Sequence, residues 1–350
     1  MITLPKIYRK MAKVWEDNVF YRLLRPYVDW CTNASYSSLT VKGKDNIPTD
    51  GAVLLAPNHC NTLMDALVVL QADRGPSSYG ARADMFRKPM MASVLRGLKI
   101  LPLARARDGR EAVAGNEEVF DEVVDCIDHE VPFCIFSEGT HRPKHSLLPL
   151  KKGIWRVATR AAKKLDKPVY VVPVGIDYDD YFKYMKKATV SFGQPIRVYE
   201  DTDQQEFLAT LHDRISELIT YFPDDENYEK NLAEWKAAHT PHYTTAQQIG
   251  RVALAILSLP LFIVFAILCS PMWIAAAILG NKLKDKAWLN TVRFCTKFAL
   301  VPVLFVIMLV LAICLKIPWH FTILLLVLLL ISHSGFYFLQ DFYRNILNLD

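Results

Sequence analysis

His59 and Asp65 stand where a short apolar run, residues 53–56, gives way through the breakers and polar residues of 57–61 to a helix-like apolar run over 63–70. A neutral imidazole is the side chain best suited to take a proton near pH 7. A carboxylate on its other nitrogen fixes the tautomer and stabilises the imidazolium. The pair therefore reads either as a general base with its orienting acid or as a loop histidine beside a helix-capping aspartate. Cys60 suggests a thiol nucleophile next door, but adjacent side chains rarely point at one another.

Other chemistry-bearing residues follow the same pattern of strand ends. Arg105 and Arg107 come just after the apolar run 100–103. A guanidinium fork matches phosphate bidentately; the alternative is a surface salt bridge to Asp108 or Glu111. Ser137-Glu138-Gly139-Thr140 leaves another buried-looking run. There Gly139 permits a backbone angle or close approach denied to other residues, and Glu138 is placed to hold a hydroxyl or to orient Arg105. Lys144, Lys151 and Lys152 are either donor-phosphate contacts or ordinary solvated lysines. The remaining histidines lack partners at metal-site spacing, so neither a metal nor a cofactor is expected.

Four stretches in order, NHCNTLMD (58–65), LPLARARD (101–108), IFSEGTHRP (135–143) and VVPVGI (171–176), resemble the four blocks of the glycerolipid acyltransferases of the bacterial lysophosphatidate acyltransferase type. The resemblance covers roughly residues 38–198. Most of that family places four residues between His and Asp. Here there are five, Cys60 to Met64, and the spelling is more similar to the eukaryotic glycerol-3-phosphate and dihydroxyacetone-phosphate acyltransferases. The resemblance implies a membrane-bound O-acyltransferase of phospholipid synthesis. His59 would be the base, Asp65 its orienter and Arg105 the anchor of the acceptor phosphate, with Arg107, Glu138, Gly139, Thr140 and Arg142 around the substrate. Many relatives carry Arg directly after Thr; here His141 stands there and Arg142 is next. Pro173 matches the proline of the fourth block and would shape the wall. The donor implied is acyl-CoA or acyl carrier protein, the acceptor lysophosphatidate or glycerol 3-phosphate. Direct attack by the acceptor hydroxyl suits a chain without a GxSxG elbow.

The elements that must position these residues alternate. Strand candidates at 38–42, 53–56, 100–103, 132–137, 169–173 and 189–192 are separated by helix candidates such as 110–129 and 153–164, which predicts an α/β domain with helices on a largely parallel sheet. An amphipathic helix over 205–222 closes the domain, and the polar stretch 223–243 reads as a linker. At the N-terminus, Lys6, Arg9, Lys10, Lys13, Arg22 and Arg25 interleave with aromatics. That suits either short helices in a lipid headgroup zone or a helix pair packed on the core. The implied organisation is interface helices over 1–35, a catalytic domain over 36–225, a linker over 226–248 and a membrane region over 249–350.

Composition agrees with that division. Hydrophobic residues make up 52% of the 350 and charged residues 22%, and the apolar excess is concentrated after residue 249. There, 298–315 and 317–339 are near the length of a bilayer span and are joined at Lys316-Ile317-Pro318. The stretch 252–279 carries Pro260 and Pro271, which kink a span or break it into a re-entrant segment. Lys282, Lys284, Lys286, Arg293 and Lys297 against Asp285 mark the loop over 280–297 as cytoplasmic, with the catalytic domain on the same face of a bacterial inner membrane or an internal membrane. The net charge of +5 suits anionic lipid surfaces, and no basic stripe with interleaved aromatics points to nucleic acid. Seven scattered cysteines without CxxC spacing favour a reducing compartment, and the N-terminus lacks the uninterrupted apolar core of a cleavable signal. A catalytically silent membrane scaffold or transport-associated protein, and a lipid hydrolase or transacylase, are the competing readings.

Overall fold

The computed structural model describes residues 13–73, 75–105, 108–109 and 114–347. Its elements are α1 (Val19–Asn33), β1 (Ser38–Lys42), β2 (Ala52–Pro57), α2 (Leu63–Asp73), β3 (Ser78–Arg82), α3 (Pro89–Gly97), β4 (Ile100–Leu103), α4 (Asn116–Asp128), β5 (Phe133–Cys134), α5 (Gly153–Lys164), β6 (Val169–Tyr178), β7 (Lys187–Phe192), β8 (Ile196–Val198), α6 (Gln204–Ser216) and α7 (Tyr228–His239), followed by α8 (Thr245–Leu268), α9 (Ser270–Asn281), α10 (Leu289–Cys314) and α11 (Trp319–Leu347).

β2 explains the sheet. All six of its residues are buried. Ala52, Leu54 and Ala56 face a core shared with Val123 of α4, Ile154 of α5 and Phe207 of α6, while Val53 and Leu55 face Val68 and Val69 of α2. A strand covered on both faces needs no polar alternation, so its sequence is a continuous apolar run, and each fully buried leucine contributes about 1.5–3 kcal/mol. The sheet order is β1-β7-β6-β2-β5-β3-β4, with β8 also beside β6. β1 with β7, and the pairs from β6 through β2, β5 and β3 to β4, are parallel; β7 and β8 run antiparallel to β6. The sheet is thus largely parallel, as expected, with its antiparallel pairs confined to β6 with β7 and β8. The parallel strands bring their C-terminal ends, and the loops after β2, β4 and β5, to one edge, where α/β sheets place their sites.

β3 and β8 have no counterpart among the sequence-derived strands. β3 reads SYGAR, without apolar alternation, and is held by its neighbours β4 and β5. The expected linker contains α7, whose Tyr228 is buried and accepts a hydrogen bond from the His145 amide at 3.0 Å. Lys6, Arg9 and Lys10 lie outside the described residues. α1 packs along one face, where Arg25 donates to Leu70 O and Tyr27 Oη donates to Phe298 O, each at 2.8 Å, and it leaves Val19 and Leu23 exposed.

Three helices, Thr245–Leu268, Lys286–Cys314 and Trp319–Leu347, are long and apolar enough to cross a membrane. α8 runs through Pro260 without ending and stops at Cys269, with Pro271 in the first turn of α9. Phe336 stacks on both Phe262 and Trp273, at 5.4 and 5.5 Å. A straight helix would set those two partners about 16 Å apart along its axis, so the chain bends sharply between α8 and α9. Where α8 crosses α11, a Cβ on Gly335 would lie 2.2 Å from Phe265 Cε2, so only glycine admits that approach.

The apolar helices dock on the α/β domain through polar contacts. Lys297, 0% exposed, donates to Cys31 O at 2.6 Å and Ser35 Oγ at 2.9 Å. Asn290 Nδ2 donates to Tyr181 O at 2.9 Å, and the Thr62 and Thr291 hydroxyls meet at 2.6 Å. Two of the five cations that marked the 280–297 loop, Arg293 and Lys297, thus lie within α10. They serve docking there: Arg293 donates to Phe182 O at 2.5 Å.

Candidate active site

The loop between β2 and α2 is tied down before it presents any side chain. Asn58 Nδ2 donates to Ile176 O at 3.0 Å, and its Oδ1 accepts from Ile176 N at 2.7 Å, clamping the loop to β6. His59 is then held by its backbone at both polar atoms. Its N–H donates to Glu138 Oε1 at 2.7 Å, and its carbonyl accepts from Arg142 N at 3.0 Å.

The imidazole and the carboxylate come together as their chemistry requires. His59 Nδ1 lies 2.8 Å from Asp65 Oδ2, and the same oxygen accepts from the amides of Cys60 at 2.8 Å and Asn61 at 2.6 Å. Tyr178 Oη donates to Asp65 Oδ1 at 2.9 Å. Asp65, in the first turn of α2 and fully buried, is an acceptor surrounded by donors, so the His59 nitrogen facing it is the one that carries hydrogen. That leaves His59 Nε2 as the acceptor; it has no hydrogen-bond partner among the described residues. The ring packs against Phe136 at 4.4 Å and stands edge-on to His141 at 5.6 Å, and its side chain keeps 18% exposure.

Cys60 is excluded as a nucleophile. It is buried, and burial together with the charge of Asp65 pushes its thiol well above the ordinary range.

Glu138 does not orient Arg105. Its two oxygens take the amides of His59 and of Leu148, the latter at 3.0 Å, and burial pushes its carboxyl up to about 7 against the pull of those amides and of His59. Arg105 instead makes a bidentate pair with Asp108, at 3.0 and 3.2 Å, the salt bridge that its sequence also allowed. Arg142 turns its side chain to Asp224 and to Ser146 Oγ, while its backbone serves His59. Gly139 has φ of +69°, where an L side chain is strained. Thr140 is exposed. Arg107 lies outside the described residues. Lys144 pairs with Asp224 at 2.9 Å, and Lys151 and Lys152 are exposed.

Residues 38–177 match the family model described as Acyltransferase. The chain carries an acyltransferase-family domain. Glycerol-3-phosphate O-acyltransferase 1 of Saccharomyces cerevisiae is 32% identical over 108 residues, 29% of this chain and 14% of that protein. Glycerol-3-phosphate O-acyltransferase 2 of the same yeast is 29% identical over 122 residues, 33% of this chain and 16% of that protein. The matches thus span under a fifth of the length of either yeast protein. Among solved structures, the 1-acyl-sn-glycerophosphate (LPA) acyltransferase PlsC from Thermotoga maritima aligns over 64% of this chain and 83% of its own, at a TM-score of 0.43 and 18% identity. The residues that match the family model end just before Tyr178, whose bond to Asp65 no sequence block contains. A tyrosine two residues past the VVPVGI block, at the end of a buried strand, is the signal that was available. His141 is bonded through Nε2 to Asp285 at 2.7 Å, a partner 144 residues on that nothing in the local pattern announced.

Proposed function

We propose that the chain transfers a fatty acyl group from the thioester of acyl-CoA or acyl carrier protein to the hydroxyl of a glycerol-phosphate acceptor, glycerol 3-phosphate or lysophosphatidate, at a membrane. The observation that carries this reading is the His59–Asp65 pair at 2.8 Å with Nε2 open, at the C-terminal edge of the sheet. That the two yeast relatives are glycerol-3-phosphate O-acyltransferases supports the choice of acceptor class.

In this mechanism the acceptor hydroxyl sits at His59 Nε2 and gives up its proton as its oxygen attacks the thioester carbonyl. Asp65 stabilises the imidazolium that forms. The C–S bond then breaks, and the departing thiolate takes the proton from Nε2, which returns the base to its starting state. Glu138 and Arg142 hold the backbone of His59 so that its ring keeps one position. Arg105 exchanges Asp108 for the acceptor phosphate, with Gly139 and Thr140 beside it and Arg107, two residues on in sequence, as a second cation. The α10–α11 pair crosses the bilayer and returns, α8–α9 enters and leaves on one side, and the domain lies at the cytoplasmic face.

Full-length protein incubated with labelled acyl-CoA and either acceptor is expected to yield acylated acceptor. His59→Ala is expected to lose roughly 10²–10⁴ in rate while still inserting and folding. No product, or free fatty acid that forms at the same rate without acceptor, overturns the reading.

A further inference from the structure

Asp285 sits in the turn between α9 and α10, outside the residues that match the family, yet its side chain reaches the centre of the site. Its Oδ2 accepts from His141 Nε2 at 2.7 Å, and its Oδ1 accepts from Ala287 N at 2.9 Å, which fixes the carboxylate at the start of a short helical turn. The His141 ring is thereby held between two aromatic neighbours that both meet it edge-on: His59 at 5.6 Å and 77°, and Trp288 at 5.9 Å and 84°. With Nε2 committed, Nδ1 is the ring nitrogen that has no partner among the described residues. A carboxylate on one imidazole nitrogen leaves the other an acceptor while the ring is neutral, as at His59, but an anionic oxygen brought to that second nitrogen favours the doubly protonated ring, whose two nitrogens are then both charged donors. A hydroxyl and a phosphate on adjacent or next carbons are a few bond lengths apart, which is the span between the His59 and His141 rings.

We propose that the membrane segment completes the active site: Asp285 is a positioning residue that holds His141, and His141 Nδ1 donates to an anionic oxygen of the phosphate-bearing acceptor whose hydroxyl faces His59. The inference rests on the glycerol-phosphate reading above and adds to it a binding residue and the turn that orients it. Trp288 meets the His141 ring edge-on and helps to hold it. The site is accordingly built from two parts of the chain, and binding of the acceptor depends on how the apolar helices dock.

Equilibrium binding of tritiated glycerol 3-phosphate and of labelled lysophosphatidate to the full-length protein in phosphatidylcholine nanodiscs tests this without turnover. Asp285→Asn keeps an oxygen for the Ala287 amide, so the turn is retained while the charge is lost. Asp285→Asn and His141→Gln are each expected to weaken binding of the phosphate-bearing ligand about tenfold, the loss of one charge-assisted hydrogen bond. His141→Arg, charged without help from a carboxylate, is expected to bind near the wild-type level, and adding Asp285→Asn to it to change nothing further. Wild-type affinity in Asp285→Asn and His141→Gln overturns the proposal. So does a loss in Asp285→Asn that persists in the His141→Arg background, since it would then come from a disturbed turn. Wild-type protein that binds neither ligand overturns the glycerol-phosphate reading and this inference with it.

Discussion

Replacing Asp65 by Asn separates two things the carboxylate does for His59. One is tautomer choice and the other is charge. Loss of the correct tautomer in a His–Asp pair costs about 10⁴ in rate. Here the oxygen facing His59 also accepts the amides of Cys60 and Asn61, at 2.8 and 2.6 Å, and an asparagine NH₂ placed there would confront two N–H donors. The asparagine must therefore turn its oxygen to that side and its NH₂ toward Tyr178, whose hydroxyl can rotate to accept. His59 keeps its Nδ1–H bonded and its Nε2 basic. What is lost is the negative charge opposite the imidazolium of the transition state. At about 4 Å and an effective dielectric near 20 that attraction is roughly 4 kcal/mol, and the difference between a charged and a neutral hydrogen bond sets a lower figure of roughly 1–2 kcal/mol. Asp65→Asn is thus expected to lower kcat by about 10- to 1,000-fold with the KM of the acyl donor unchanged, measured with labelled acyl-CoA at saturating acceptor. Asp65→Ala, which strands two buried amides and frees the ring, is expected to fall further and to lower the melting temperature. An Asn variant as inactive as the Ala variant would refute the argument from the amides, and a fully active one would remove the Asp65 charge from the chemistry.

Glu138→Gln addresses the buried carboxyl. Its folded-state pKa of about 7 lies above the ordinary 4.5, so the stability associated with this group is full below pH 4.5 and is lost as pH rises through 7, a change of about 3 kcal/mol. Melting curves of wild type and Glu138→Gln should converge or cross over that window, with wild type losing ground toward alkaline pH; parallel curves count against it. Arg105→Ala should raise the acceptor KM at least about tenfold and leave the donor KM alone, with Lys a poor substitute because the fork is lost; the effect on stability should stay within about 1 kcal/mol because the pair with Asp108 is partly exposed. Gly335→Ala forces a Cβ into Phe265 and should destabilise by about 1–3 kcal/mol, read as a lower melting temperature with kinetic constants retained.

The parts of the fold that were legible in the sequence are those where one physical requirement dominates. β2 is buried on both faces and reads as an apolar run, and α5 runs over Gly153–Lys164 as its amphipathic spacing predicts. β3 was not legible because its neighbours hold it and its own composition does not. α7 was missed because only Tyr228 of its surface is buried, so its polar face hides the helix. At the site, the His59–Asp65 spacing was readable because both residues belong to one loop and the helix after it. The work of Glu138 was not: a carboxylate that accepts two backbone amides leaves no signature in spacing. Asp285 lies across the fold in a turn otherwise rich in lysine, where an acidic residue looks like charge balance.

The lysine sealed inside α10 has a bearing on how the polypeptide is made. Lys297 stands at the edge of the apolar run 298–315, where a lysine exposed to lipid reaches back to the interface; sealed against protein instead, its ammonium needs acceptors. For Lys297 the acceptors are the carbonyl of Cys31 and the hydroxyl of Ser35, which leave the ribosome more than two hundred residues earlier. Docking of that helix is thus coupled to prior folding of the amino-terminal half, and a chain stripped of those early residues would leave the ammonium without its acceptors.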